Sequence, residues 1–212
     1  MNFIGHATVA GWEDEAPLFG VGAILPDLAR MAGAVRAPEA HDDEVRRGVA
    51  CHHRVDAVFH DTPTFVGLSG QLRQRLTEQG VSRPAALGTA HIGIELLLDG
   101  ELVGRTEVAR RWWGVVEATR ELPASRLRWP DPEPAARYDA LRHRLTELAA
   151  GYVDPRVVAG RVLAILDRRP RLRPAAGDGA AITAALVDFA PLVADRTDTW
   201  LDEIAEGLGR TK

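Results

Sequence analysis

Residues 84–100 read PAALGTAHIGIELLLDG, and this stretch decides the fold class. Its large apolar residues lie on nearly all sides of a helix: Leu87, Ile92, Ile94, Leu96, Leu97 and Leu98. A helix that is apolar all round belongs in a core. Few segments of the chain show the period-two alternation of apolar and polar residues that is typical of a half-buried strand, whereas several show helical spacing. The sequence therefore predicts an all-α fold.

Prolines and glycines divide the rest of the chain into further predicted helices. These span about 17–32 (broken or kinked near Pro26), 42–60, 63–79 and 105–121, followed by 135–150, 155–168, 178–190 and 191–208. The prolines between 123 and 134 mark a loop. We interpret this loop as internal, because neither half of the chain alone looks sufficient for a stable core. The prediction is a single domain over residues 1–212.

Composition and charge exclude several classes of protein. The chain of 212 residues is 46% hydrophobic and 26% charged, as is ordinary for a globular protein. Its formal net charge of -4 gives no global basic field for nucleic acid or an anionic membrane. The single cysteine excludes an internal disulfide, and neither a signal-peptide pattern nor a membrane-length apolar run is present. We expect a reduced, cytoplasmic protein with no nucleic-acid or membrane partner.

The predicted helix over 42–60 carries a line of polar residues. His52, Asp56 and His60 are four residues apart and so share one helical face. An imidazole and a carboxylate one turn apart can both point at a single cation, and this combination suits Mn, Fe or Zn. The roles of His53 and His60 stay undecided in this interpretation, because the side chain of each could equally face solvent.

The predicted helix over 84–100 repeats the arrangement with His91, Glu95 and Asp99. A buried, unpaired carboxylate is costly, so Glu95 needs a partner, either a metal or an arginine. His6 and Asp27 are two further polar residues amid apolar ones. Each signal alone is more often a structural pair, whereas together they favour a metal site over a satisfied core network.

Four segments, in order, resemble the acyl-carrier-protein phosphodiesterase (acyl-carrier-protein hydrolase) family. Residues 2–6 read NFIGH, where the family has Asn-Phe-Leu-Ala-His. Residues 22–28 read GAILPDL, in the place of Gly-Asn-Leu-Leu-x-Asp-Phe. Residues 48–56 read GVACHHRVD, like the family's Gly-Ile-x-x-His-Arg-x-Ile-Asp helix. Residues 168–172 read RRPRL, similar to a family Arg-Arg-Pro-Arg-Leu segment.

This resemblance implies an HD-domain-like helical bundle, related to the HD-domain metal phosphohydrolases. Family members use a divalent cation, often manganese, to cut the phosphodiester that joins phosphopantetheine to a carrier-protein serine. The site residues that the resemblance implies are His6, Asp27, His52 and Asp56.

The chain departs from the family pattern on the next helix. The family carries an Asp-Val-x-x-Asp-His element there. His91 and Glu95 stand in the positions of the two aspartates, and Leu96 stands in the position of the histidine.

The leading hypothesis is a metal-dependent phosphodiester hydrolase. Its cation is Mn, with Fe or Zn as alternatives, and the predicted ligands are His6, Asp27, His52, Asp56, His91 and Glu95. Two residues have predicted catalytic roles. Asp27 would complete the coordination shell of the metal ion or orient the other ligands. Arg54 would neutralise the charge that builds up on the phosphoryl oxygens. An acyl carrier protein, which is acidic, would dock on the arginines of 168–171.

Two other functions remain open from the sequence. The substrate of a hydrolase could be a small phosphorylated metabolite rather than a carrier protein. The chain could also be a non-catalytic helical scaffold or binding protein, in which the same polar residues form a satisfied buried network.

Overall fold

The chain folds almost entirely into helices, as the sequence predicts. The computed structural model describes residues 1–210, without the side chains of residues 148 and 149. Within that range the α-helices are α1 (Phe3–Glu13), α2 (Pro17–Met31), α3 (Asp43–Phe59), α4 (Pro63–Glu78), α5 (Arg83–Val103), α6 (Thr106–Arg120), α7 (Pro132–Arg142), α8 (Leu145–Ala150), α9 (Pro155–Asp167) and α10 (Asp178–Gly207). The one extended pairing described is short and antiparallel, between β1 (Glu39–Ala40) and β2 (Leu127–Arg128). The all-α prediction is confirmed.

The chain divides into two compact units, each built from two stretches of sequence. The first unit comprises residues 1–57 and 102–150, and the second comprises residues 58–101 and the chain from residue 151 onward. The proline-rich loop at 123–134 lies inside the first unit.

In the first unit, α2 packs against α1 and α6. Phe19, Ile24 and Leu28 of α2 are fully buried there, and Trp112 of α6 is 2% exposed. Trp113 is 47% exposed, so the Trp112–Trp113 pair splits between core and surface, because adjacent helical residues point in different directions.

In the second unit, α4 and α9 pack against α10. Thr62 begins α4 as an N-cap, since its side-chain oxygen accepts a hydrogen bond from the Phe65 amide. Gly80 follows the end of α4 with φ +86°, the left-handed conformation that a glycine often adopts after the end of a helix. Trp200 of α10 is fully buried in this core.

Two helix predictions need correction. The helices predicted at 178–190 and 191–208 are one continuous helix, α10, which passes through Pro191. The helix predicted at 135–150 is two helices, α7 and α8, separated at residues 143–144. Helix α2 continues through Pro26, so of the predicted break or kink the structure excludes the break. A proline removes one backbone hydrogen bond from a helix, and burial on both sides of it can outweigh that loss.

Among residues 1–210, we find no helix with the length and apolar character needed to cross a membrane.

Candidate metal centres

The first unit holds a buried cluster of two imidazoles and a carboxylate. His6 lies on α1, Asp27 on α2 and His52 on α3, so three helices supply one residue each. One ligand atom from each residue lies within 4.8 Å of the other two. His6 is 1% and His52 is 3% exposed, and the two rings stack with centroids 4.0 Å apart. The donor set is one that first-row divalent cations accept.

Two glycines bring α2 and α3 together beside this cluster. A Cβ on Gly22 would lie 2.8 Å from the Gly48 Cα, and a Cβ on Gly48 would lie 2.1 Å from the Phe19 carbonyl oxygen. Only a residue without a side chain permits such close backbone approach. The approach places the His52 ring against α2, where its Nδ1 lies 2.8 Å from the Ala23 carbonyl oxygen.

This hydrogen bond determines which nitrogen of His52 can act as a ligand. A carbonyl oxygen only accepts, so Nδ1 carries the proton and donates it to Ala23. Burial lowers the pKa of His52 to about 4, against the opposing effects of the Ala23 hydrogen bond and the nearby Asp56 carboxylate. The ring is therefore neutral at pH 7, with its lone pair on Nε2. A histidine that donates one ring N–H to a backbone carbonyl is the usual form of a metal-ligating histidine.

Two carboxylates approach His6 without hydrogen-bonding to its Nε2. The distance from Nε2 is 3.8 Å to Asp27 Oδ2 and 3.9 Å to Asp56 Oδ1. These separations are longer than a hydrogen bond. Atoms that share a cation at ~2.1 Å are held roughly 3 to 4 Å apart, depending on the coordination angle. Asp56 Oδ1 also lies 3.6 Å from the amino nitrogen of Met1.

The second unit holds another such cluster, formed by His60, His91 and Glu95. The Nε2 atoms of His60 and His91 lie 3.1 and 3.2 Å from the same carboxylate oxygen, Glu95 Oε1. Desolvation raises the pKa of Glu95, but the hydrogen bonds from both imidazoles contribute to an opposing effect that holds it well below its ordinary value. Two histidines are therefore among the partners of Glu95.

The structure sorts the predicted ligands by unit. His6, Asp27 and His52 form the first cluster, with Asp56 near His6, whereas His91 and Glu95 belong with His60 to the second. The sequence leaves the role of His60 undecided, although its spacing of four residues from Asp56 places it on the same helical face as His52 and Asp56. The Ala23 carbonyl carries no sequence signal, because any residue supplies one.

The predicted arginines lie at the surface. Arg54 is 52% exposed, and its guanidinium donates to Glu13 Oε2 at 2.5 Å. Arg168, Arg169 and Arg171 are exposed beyond the end of α9. His41 and His143 are exposed as well, as their charged surroundings indicate.

Comparisons of the chain with protein-family models, curated protein sequences and solved structures give no match.

Proposed function

We propose that the chain is a metal-dependent phosphodiester hydrolase with an HD-domain-like helical fold. The observation that carries the proposal is the cluster of His6, Asp27 and His52, whose ligand atoms lie within 4.8 Å of one another on three helices. Its donor types suit Mn, Fe or Zn, and the hydrogen bond from His52 to the Ala23 carbonyl leaves Nε2 as the available lone pair. The resemblance to acyl-carrier-protein phosphodiesterases gives the substrate class, and Mn as the first ion to test.

These residues would hold the cation as follows. His6 and His52 supply imidazole nitrogens from a nearly dry interior, so competition from water for those ligands is weak. Asp27 and Asp56 supply negative charge, and their side chains are 20% and 43% exposed, so this edge of the cluster is open to solvent. A divalent cation, when bound, polarises a phosphoryl oxygen and lowers the pKa of water.

Glu13 already pairs with Arg54, the residue proposed to neutralise the phosphoryl oxygens. A phosphoryl oxygen would therefore have to displace the Glu13 carboxylate to be neutralised by Arg54. The pair is half-exposed, and exposed ion pairs contribute only about 0 to 1 kcal/mol, so the displacement is inexpensive. The exposed arginines of 168–171 stay the proposed docking face for an acidic carrier protein.

The test is hydrolysis of bis-p-nitrophenyl phosphate by chelator-stripped protein after addition of Mn(II). His52→Asn retains an N–H donor for the Ala23 carbonyl but has no imidazole Nε2, so we expect loss of turnover with an unchanged helical CD spectrum. His143→Ala removes an exposed histidine and serves as the matched control. Turnover in His52→Asn equal to that of the control would refute the proposal. Comparison with phosphomonoesters then separates a diesterase from a hydrolase of small phosphorylated metabolites.

The second candidate function is a non-catalytic helical scaffold. The hydrogen bonds from His60 and His91 to Glu95 favour it, because they satisfy a polar group without any ion. Metal analysis of protein purified without chelator separates the two functions. Stoichiometric Mn, Fe or Zn counts against the scaffold.

A further inference from the structure

The two imidazoles of the second cluster converge on one point. The rings of His60 and His91 are nearly parallel, with an interplanar angle of 11° and centroids 4.9 Å apart. Both direct Nε2 to Glu95 Oε1, at 3.1 and 3.2 Å. Zinc bonds of 2.0–2.2 Å in a tetrahedron separate neighbouring ligand atoms by ~3.4 Å. The observed N···O distances are thus within a few tenths of an ångström of those in a tetrahedral site.

The ligand types favour a transition metal. Two imidazole nitrogens and one carboxylate suit zinc, whereas Mg and Ca prefer oxygen ligands. His91 is 49% exposed, so an ion can enter from solvent.

The cluster is also pre-positioned by its surroundings within the second unit. His91 and Glu95 lie one turn apart on α5, which sets their spacing locally. The Phe65 ring stands edge-on to both imidazoles, with centroids 5.0 Å from His60 and 5.5 Å from His91. Phe59, beside His60 in the chain, stacks on the buried Trp200 at 4.9 Å. An ion would therefore need little further ordering of its ligands.

A hydrogen bond from Trp200 to Thr62 also stabilises the chain around His60. Trp200 Nε1 donates to Thr62 Oγ1 at 2.8 Å, and Thr62 Oγ1 donates to the Phe59 carbonyl at 2.7 Å. Thr62 also caps α4, the helix that carries Phe65. Phe59 and Thr62, on either side of His60 in the chain, are thus tied to the core.

We propose that His60, His91 and Glu95 form a zinc-binding site. The site does not rest on the proposed function, whose metal-binding residues are His6, Asp27, His52 and Asp56. In the metal-loaded form both Nε2 atoms are deprotonated and Nδ1 carries the proton, so one zinc ion replaces the two N–H···O hydrogen bonds to Glu95.

The test measures zinc binding by competition with a chromogenic chelator. His6→Ala/His52→Asn serves as the background, because it removes two ligands of the first cluster. In this background we expect one zinc equivalent per chain. Adding His91→Ala or Glu95→Gln should abolish it, whereas adding the exposed His143→Ala should leave it in place. His91 is half-exposed, so its replacement leaves the core intact, and CD spectra verify the fold of each variant.

Two results would overturn this proposal. One is that the zinc affinity of the background protein is no higher than that of the same protein carrying His91→Ala. The other is zinc stoichiometry that survives both His91→Ala and Glu95→Gln. Either result can occur while Mn(II)-dependent turnover persists in the wild type and disappears in His52→Asn, so failure of this site is distinguishable from failure of the proposed function.

Discussion

Gly48→Ala probes the close approach of α2 and α3 on which the first cluster depends. The new Cβ would lie 2.1 Å from the Phe19 carbonyl oxygen, 2.8 Å from the Gly22 Cα and 2.9 Å from the Ala23 nitrogen. All three are backbone atoms, so no side-chain rotation relieves the overlap. The helices must separate by roughly 1 Å or more to approach the ~3.5 Å of an ordinary contact. The 2.8 Å hydrogen bond from His52 to the Ala23 carbonyl would then be broken.

The expected loss of stability follows from three terms. Overpacking costs about 1 to 3 kcal/mol. Loss of the buried hydrogen bond costs about 1 kcal/mol more. The higher helix propensity of alanine than of glycine raises the free energy of unfolding by about 0.5 to 1 kcal/mol. The net change is a decrease of about 1 to 3 kcal/mol in the free energy of unfolding, a large part of the roughly 5 to 15 kcal/mol that folded domains have.

The measurement is urea unfolding followed by CD, together with Mn(II) titration of chelator-stripped protein. Gly114→Ala is the matched control, because Gly114 is in helix α6 of the same unit and its nearest atom, Pro17 Cγ, is 4.0 Å from the added Cβ. The control should be as stable as the wild type or slightly more stable, whereas Gly48→Ala should lose both stability and Mn(II) affinity. If the two variants unfold at the same urea concentration, the close approach of α2 and α3 does not restrict residue 48 and our reasoning is wrong.

Three further predictions concern single residues. First, the folded state keeps His52 neutral down to about pH 4, whereas the unfolded chain binds a proton below its ordinary pKa of 6.5. In chelator, the free energy of unfolding should therefore fall by up to about 3 kcal/mol as pH drops from 7 to 4; His52→Asn should lack this part of the slope, and an identical slope would contradict the buried neutral ring. Second, Thr62→Ala removes the α4 cap and the acceptor of Trp200, so urea unfolding should show a loss of about 1 to 3 kcal/mol; a loss below that range would show that neither bond matters. Third, Pro191→Ala restores an N–H inside α10 at an exposed position and should raise the melting temperature; a lower one would show that α10 depends on the proline.

Local patterns in the sequence predict most of the helices and part of each cluster, but not helix α1. The all-α class follows from helical spacing, and most helix ends follow from prolines and glycines, because these effects act within a few residues. The pairing of His91 with Glu95 is of the same kind, since residues four apart share a helical face. Pro191 is an instance where local information misled. Leu186 and Val193, both fully buried, lie on either side of it, so core packing keeps α10 continuous.

Packing between helices brings together residues that the sequence left unconnected. The sequence offered His60 as one of two histidines of unknown orientation, and packing around Phe65 placed its ring beside that of His91. The Ala23 carbonyl became a partner of His52 only because Gly22 and Gly48 let two helices touch. Such contacts join residues separated by tens of positions, and they depend on how whole side-chain surfaces fit together. No periodicity along the chain encodes that fit, so most of the helices were predictable from the sequence, whereas the grouping of His60 with His91 and Glu95 was not.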